Sequence, residues 1–195
     1  MRGEQLSLQL EGGRGQRPQK PFNRQRDNTF LAYQPAQPLA ERIAGLASEI
    51  KVGYGLLESL RPQSTLHMTL LSLGYHRSIP AELAEKIGFI LSSAQFDPID
   101  IVFDTVMNFG RGGKCPIVLC SRERNSTLYA EQKRLAKILG LAPQRFTPHM
   151  TIIWTDTRIT EQHLDVPIRW SVDVPHLIYS LVGQSKHHIL WPSTS

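Results

Sequence analysis

Two copies of the tripeptide His-Met-Thr, each followed by apolar β-forming residues, constrain the fold of this chain more than any other feature. Side chains at positions i and i+2 of an extended strand point to the same face. Each copy therefore places an imidazole beside a hydroxyl, His67 with Thr69 and His149 with Thr151. Two such strands facing one cleft would supply two histidines and two threonines. That set of side chains suits acid–base chemistry on a phosphate.

Length and composition favour a globular protein. The 195 residues suffice for one compact domain or for two small lobes that share a core. No apolar run approaches the ~20 residues of a membrane span, and the polar N-terminus does not resemble a secretory signal. We therefore expect a soluble, cytoplasmic monomer with no membrane partner. Cys115 and Cys120, the only cysteines, fit neither a disulfide framework nor zinc-ligand spacing.

The first 28 residues are basic and poor in apolar side chains. They carry six Arg or Lys against three acidic residues, which is +3 of the net +5, so the rest of the chain carries only +2. We predict a flexible basic extension over 1–28 and a folded domain over 29–195. The extension could attract the phosphate backbone of RNA or be a solvated tail. Alternating Leu6, Leu8 and Leu10 would permit a transient edge strand.

Hydrophobic periodicity predicts alternating strands and helices. Helices are expected over 38–51, 80–94 and 126–139. Strands are expected over 30–33, from 66 to a stop at Gly74, and over 99–106, 116–120, 149–154, 169–182 and 187–191, with a turn over 110–113 and a polar loop over 155–165. This order of elements indicates an α+β fold of two sheets with outer helices.

The flanks of both motifs carry a resemblance to a known family. They include Phe30-Leu31-Ala32 with a following proline, Arg61-Pro62 and Leu73-Gly74 around the first motif, residues 145–152 around the second, and the closing stretches 180–183 and 189–192. In these stretches the chain resembles the 2H phosphoesterase superfamily, in its bacterial 2'-5' RNA ligase or RNA 2',3'-cyclic phosphodiesterase branch. The resemblance runs from residue 29 to residue 192 and leaves the basic extension outside.

The resemblance implies two pseudo-symmetric lobes, each an antiparallel sheet with outer helices, around a central cleft. It also implies that no metal or cofactor is needed to hydrolyse the 2',3'-cyclic phosphate of an RNA end to a 2'-phosphate, with 2'-5' ligation as the reverse reaction. By position, His67 would be the general acid toward the leaving ribose oxygen and His149 the general base for water. Thr69 and Thr151 would bind the non-bridging phosphate oxygens.

Four further residues are candidate substrate contacts. Many members of the family carry a basic residue near the end of each motif, where this chain has Leu71 and Trp154. Arg145 is a candidate replacement for that cation, unless it is an ordinary surface residue. Trp154 or Tyr33 could stack on a base, and Phe30 also belongs to the candidate set. The alternative role for Trp154 is packing between the lobes.

Several competing interpretations remain open. Five histidines lack a threonine two residues later and are expected to be surface or structural residues: His76, His163, His176, His187 and His188. Only two histidines are evidently placed together, too few for a zinc site. A small cyclic nucleotide is the alternative substrate, which the modest charge of the folded part favours. A non-catalytic RNA- or nucleotide-binding module is a further alternative, against which the retention of both complete motifs argues.

Overall fold

The structure, a computed structural model, describes residues 27–110 and 115–192. The predicted basic extension therefore lies outside the described residues except for Asp27 and Asn28, which already belong to the first strand. The predicted turn after Gly110 also lies outside them. Within the described part of the chain, no helix is long and apolar enough to cross a membrane.

The elements follow one another in the order expected for an α+β protein. They are β1 (Asp27–Tyr33), α1 (Gln37–Gly53), a short 3-10 helix (Gln63–Thr65), β2 (Met68–His76), α2 (Ala81–Ser92), β3 (Ile99–Asn108), β4 (Ile117–Cys120), α3 (Ser126–Ile138), β5 (His149–Ile153), β6 (Gln162–Val172), β7 (His176–Leu181) and β8 (Lys186–Trp191). Local chemistry explains the helix starts. A proline lies in the first turn of α1, where its missing N–H costs nothing. The Asn125 side chain caps α3 by accepting a hydrogen bond from the Leu128 N–H, as such residues do at helix starts.

The strands form two antiparallel four-stranded sheets, which confirms the predicted α+β architecture. The first sheet has the order β2-β1-β7-β8 and the second has the order β5-β4-β3-β6. Each His-Met-Thr strand is thus an edge strand, β2 of the first sheet and β5 of the second. Leu60 forms an isolated bridge with Ile153 on β5, so the chain that leads into β2 runs along the edge of the other sheet.

Strand alternation on β1 separates the main core from the face that carries the candidate site. Leu31 and Tyr33 join the main core, which lies between the sheets and the helices. Phe30 and Ala32 point to the opposite face and form a small apolar cluster with Ile178 on β7. The ring of His67, from the first motif, lies against this second face, where it stacks on Phe30.

The closing strands differ from the sequence prediction. The hydrophobic pattern predicts one strand over 169–182, but this stretch contains the end of β6 and all of β7, because the chain crosses here from the second sheet to the first. Pro175 lies at the crossing and cannot donate to a strand ladder, and the Asp173 carboxylate accepts the Val174 N–H at 2.6 Å. β6 also begins at Gln162, inside the predicted polar loop.

Gly74 does not end β2 as predicted. Its φ of 101° lies in a region that glycine adopts without a Cβ clash. The pairing with β1 shifts at this point, since Thr29 pairs with Gly74 and Phe30 with Ser72. The glycine therefore lets the strand pass through a bulge and continue to His76.

Candidate active site

The structure brings the two His-Met-Thr motifs together where the edges of the sheets meet. β2 and β5 contact each other, and His149 is near enough to influence the pKa of His67. The side chains alternate as the sequence indicated. All four motif residues, His67, Thr69, His149 and Thr151, are half-buried, whereas the methionines between them are buried.

The ring of His67 is fixed by a carbonyl and a phenylalanine. Its Nδ1 lies 2.8 Å from the Thr65 carbonyl oxygen, which can only accept, so Nδ1 holds the proton of the neutral ring and donates it. The ring stacks on Phe30 with centroids 4.8 Å apart and an interplanar angle of 27°. This tautomer leaves Nε2 available for a ligand.

The surroundings of His149 repeat this arrangement. Its Nδ1 lies 2.8 Å from the Thr147 carbonyl oxygen, again two residues earlier in the chain. Its ring packs against Phe109 with centroids 4.7 Å apart. Each motif histidine therefore has the same tautomer and an aromatic support, and each presents Nε2 as its free nitrogen.

Arg61 connects the two motifs, although in the sequence it stands out only as a flanking residue. Its backbone N–H donates to the Ile152 carbonyl on β5 at 3.0 Å. Its guanidinium reaches toward the other sheet, where Nε donates to the Thr65 carbonyl at 2.8 Å and Nη2 lies 3.3 Å from Nδ1 of His67. Among the described residues, Arg61 forms no ion pair with a carboxylate. Burial lowers the pKa of its guanidinium to about 10.

His187 is a third imidazole at the site. The sequence placed it among the surface or structural histidines, because no threonine follows it at i+2. In the structure its ring meets His67 edge-on with centroids 5.0 Å apart and also touches Phe30 at 5.8 Å. Its Nδ1 is buried and has no hydrogen-bond partner in the described part of the chain. Only the folding of β8 toward the first motif reveals this contact, since nothing local in the sequence marks it.

The surroundings of the site lower the pKa of all three imidazoles. Burial, and then the charge of Arg61, lower the pKa of His67 to about 3, against the opposing effect of the Thr65 carbonyl. Burial also lowers the pKa of His149 below its ordinary 6.5. Burial, and then Arg61, lower the pKa of His187 to about 4. A fixed guanidinium thus opposes a second proton on His67.

Trp154 lies beside the second motif and is accessible. The pairing of β4 with β5 runs from Val118 opposite Thr151 to Ile117 opposite Ile153, so it skips Ile152. Ile152 and Ile153 are both buried. This bulge shifts the alternation by one residue, which returns Trp154 to the face of Thr151. Its side chain is 49% exposed.

The other candidate contacts occupy different places. Phe30 is 3% exposed and supports the His67 ring, so it offers little surface to a substrate. Arg145 is exposed in the loop before β5. Tyr33 is 1% exposed and packs edge-on against Trp170 in the main core, with centroids 6.3 Å apart. It lies on the opposite face of β1 from Phe30, so the structure does not bring it to the site.

We expect Tyr33→Phe to raise the free energy of unfolding by about 1 kcal/mol and to leave turnover unchanged, because the buried hydroxyl has no partner among the described residues. Burial also raises the pKa of this phenol, which keeps it neutral. Urea unfolding followed by circular dichroism measures the change. A loss of stability would mean that the hydroxyl has a hydrogen-bond partner after all.

A cavity of about 300 Å³ opens next to His149. Its walls come from β3, the end of β4 and the start of α3, and include the rings of Phe109 and Tyr129 together with Arg122 and Arg124. The Arg124 guanidinium stacks over the Tyr129 ring at 4.5 Å.

Across residues 27–110 and 115–192, no three His, Cys, Asp or Glu side chains lie close enough to hold a metal ion.

Similarity to known proteins agrees with this architecture. A sequence model of the 2'-5' RNA ligase superfamily matches residues 35–183. The apo structure of E. coli LigT aligns with a TM-score of 0.61 at 17% identity, covering 84% of this chain and 93% of that one. LigT complexed with NADP+ aligns with a TM-score of 0.63 at 16% identity, over 84% and 94% of the two chains. The protein TT0787 of Thermus thermophilus aligns with a TM-score of 0.59 at 18% identity, over 84% and 94%. No curated protein sequence matches.

Proposed function

Because this chain belongs to the 2'-5' RNA ligase superfamily of 2H phosphoesterases, we propose that it hydrolyses 2',3'-cyclic phosphates at RNA ends to 2'-phosphates. The observation that carries the proposal is the matched setting of His67 and His149. Two imidazoles held at Nδ1 in the same way present Nε2 at the junction of the sheets, so a neutral ring can accept a proton there and a protonated ring can donate one. Hydrolysis of a cyclic phosphodiester needs such a pair, one ring to accept a proton and one to donate it.

In the proposed reaction, water attacks phosphorus and the bond from phosphorus to the ribose 3'-oxygen breaks. One imidazole takes a proton from the water, and the other gives a proton to the departing oxygen. Thr69 and Thr151 donate hydrogen bonds to the non-bridging oxygens and so stabilise the charge that grows on them. In the reverse direction the two imidazoles exchange roles and join a cyclic end to a 5'-hydroxyl. Hydrolysis dominates because water is the abundant nucleophile.

We assign the proton acceptor role to His67 and the donor role to His149. Nη2 of Arg61 lies 3.3 Å from His67, and a fixed cation at that distance opposes protonation of the ring. Among the described residues, no such cation contributes to the lowered pKa of His149, whose cause is burial. This polarity is the opposite of the one that the family resemblance implies.

We expect the pH profile of kcat/KM to be bell-shaped with its optimum below 6.5, the ordinary histidine pKa. Activity should rise with pH as the acceptor ring loses its proton and fall at higher pH as the donor ring loses its own. Burial lowers both pKa values, so both limbs move to lower pH. Initial rates on a nucleoside 2',3'-cyclic phosphate at constant ionic strength measure the profile. An alkaline optimum would contradict it.

We expect a chelator to leave turnover unchanged, because both proton transfers and the phosphate contacts come from side chains in this proposal. The assay adds EDTA and compares an RNA oligonucleotide ending in a 2',3'-cyclic phosphate with a cyclic mononucleotide. Loss of activity that returns when a divalent cation is added back would contradict the metal-independent mechanism. The ratio of the rate on the oligonucleotide to the rate on the mononucleotide also shows whether the site contacts RNA beyond the terminal nucleotide.

A small cyclic nucleotide is the second candidate substrate, and the cavity beside His149 favours it. Its volume of about 300 Å³ is at the lower end of pockets that hold small molecules, and aromatic rings and arginines line it. E. coli LigT, which shares the fold, is known in complex with 3'-AMP. A single nucleotide could place its cyclic phosphate at the histidines and its base in this cavity or against Trp154.

A further inference from the structure

We propose that Arg61 and His187 form a phosphate subsite beside His67. The inference rests on the proposed function in one respect, because that function identifies the ligand carrying the phosphate as a nucleotide. Neither residue belongs to the two His-Met-Thr motifs. They are far apart in the sequence: Arg61 lies at the edge of the second sheet, and His187 lies on β8 of the first. Their side chains meet at the His67 ring.

The first observation is a guanidinium that lacks an anion. Arg61 is half-buried, and within the described part of the chain it forms no ion pair with a carboxylate. Burial is the one cause of its lowered pKa, so no described acidic group compensates its charge. A charge taken from water without a partner destabilises a folded protein. An anionic ligand would remove that cost.

The contact between Arg61 and His67 does not satisfy the guanidinium. Nδ1 of His67 donates its proton to the Thr65 carbonyl, so it cannot accept a hydrogen bond from Nη2 of Arg61. The 3.3 Å approach therefore brings two donors together. Nε of Arg61 is used on the same carbonyl. The terminal nitrogens remain available for an acceptor, and a phosphate offers oxygens with the spacing that a guanidinium binds well.

The second observation is the buried Nδ1 of His187, which has no hydrogen-bond partner among the described residues. A neutral imidazole can donate from this nitrogen. The rings of His187 and His67 have centroids 5.0 Å apart, and Nη2 of Arg61 lies 3.3 Å from Nδ1 of His67, so both side chains border the same ring. Arg61 also lowers the pKa of His187. A phosphate oxygen between them would accept from both.

The phosphate has two sources on a nucleotide. It is either the reacting phosphate, held by the subsite as well as by the threonines, or a neighbouring phosphate on the same nucleotide chain. Two ligands separate these sources without any turnover. A nucleoside 2'-monophosphate carries only the group formed at the reacting position, and a nucleoside 2',5'-bisphosphate adds a second group.

Isothermal titration calorimetry of the full chain with both ligands tests the subsite. We expect Arg61→Gln and His187→Gln each to weaken binding by about ten- to one-hundred-fold. Equal losses for both ligands assign the reacting phosphate, and a loss confined to the bisphosphate assigns the neighbouring one. Matched controls are Arg42→Gln, on the exposed side of α1, and His188→Gln, whose side chain lies on the other face of β8. Affinities that change no more than in these controls overturn the proposal.

Thermal unfolding distinguishes a subsite from a structural role. If Arg61 is kept for a ligand, Arg61→Gln should unfold at or above the temperature of the wild type without ligand and should lose the stabilisation by the 2',5'-bisphosphate. A lower unfolding temperature with the ligand shift retained would overturn the proposal. The Arg61→Lys variant keeps the positive charge but lacks the paired N–H donors of a guanidinium, so it should bind with intermediate affinity. Wild-type protein that binds both ligands through this subsite but opens no cyclic phosphate would contradict the proposed function and leave the subsite standing.

Discussion

His67→Ala and His149→Ala are each expected to reduce turnover of a 2',3'-cyclic phosphate by about 10²- to 10⁴-fold, the usual worth of one general acid or base. Each ring is held at Nδ1 by a carbonyl and leaves Nε2 free, so its removal deletes a proton transfer. Because the two rings act as one unit, the double variant should lose less than the product of the two single losses. Quenched assays on a cyclic mononucleotide under saturating conditions measure the rates.

The control for these variants is His163→Ala, an exposed histidine on β6, which should keep full activity. Circular dichroism and urea unfolding should show that both motif variants remain folded, since each ring is half-buried and lies outside the main core. If either folded variant retained wild-type turnover, the acid–base pair would be wrongly assigned.

Most of the fold could be predicted from local patterns. The three helices follow apolar spacing and recognisable starts, such as the Asn125 cap of α3. The β6–β7 crossing could not be predicted, because which sheet a strand joins depends on pairing between distant residues. The continuation of β2 beyond Gly74 could not be predicted for the same reason. A glycine indicates an unusual backbone conformation, but only the pairing with β1 decides whether the strand ends there or passes through a bulge.

The centre of the candidate site could also be predicted from the sequence, and its periphery could not. His67 and Thr69 share a face because of strand periodicity alone. Arg61 and His187 reach the site through the approach of two sheets and the placement of β8, which no local pattern encodes. Tyr33 shows the converse: an aromatic residue near the first predicted strand could face either way, and alternation along β1 placed it in the core.

The two motif histidines have equivalent carbonyl and aromatic contacts, but their other neighbours differ. Thr65 with Phe30, and Thr147 with Phe109, give the rings equivalent tautomers and packing. Among the side-chain contacts of the described residues, Arg61 and His187 approach the ring of His67 and not that of His149. The sequence repeat thus produces a symmetric pair of bases, and the residues outside the repeat make the pair unequal. A catalytic acid and base must differ in this way, since one has to hold the proton while the other lacks it.

The pH profile cannot tell which ring is the acid, because the two assignments of one proton to two rings have the same net charge and give the same bell. The leaving group can. A cyclic phosphate with sulfur at the bridging 3'-position releases a thiolate, whose conjugate acid has a pKa of about 8.5 and which therefore departs without a general acid.

We expect this 3'-thio substrate to restore most of the rate lost in His149→Ala, a gain of about 10²- to 10⁴-fold relative to the oxygen substrate. His67→Ala should stay slow with both substrates, because the attacking water still needs a base. The wild type measured with both substrates corrects for the intrinsic reactivity of the sulfur compound. Rescue of His67→Ala instead would assign the acid role to His67, as the family resemblance implies. Nη2 of Arg61 lies 3.3 Å from that ring, so the negative charge of the bound phosphate would then have to offset the effect of the guanidinium on the His67 pKa. In that case His67 would gain its proton only when the substrate binds.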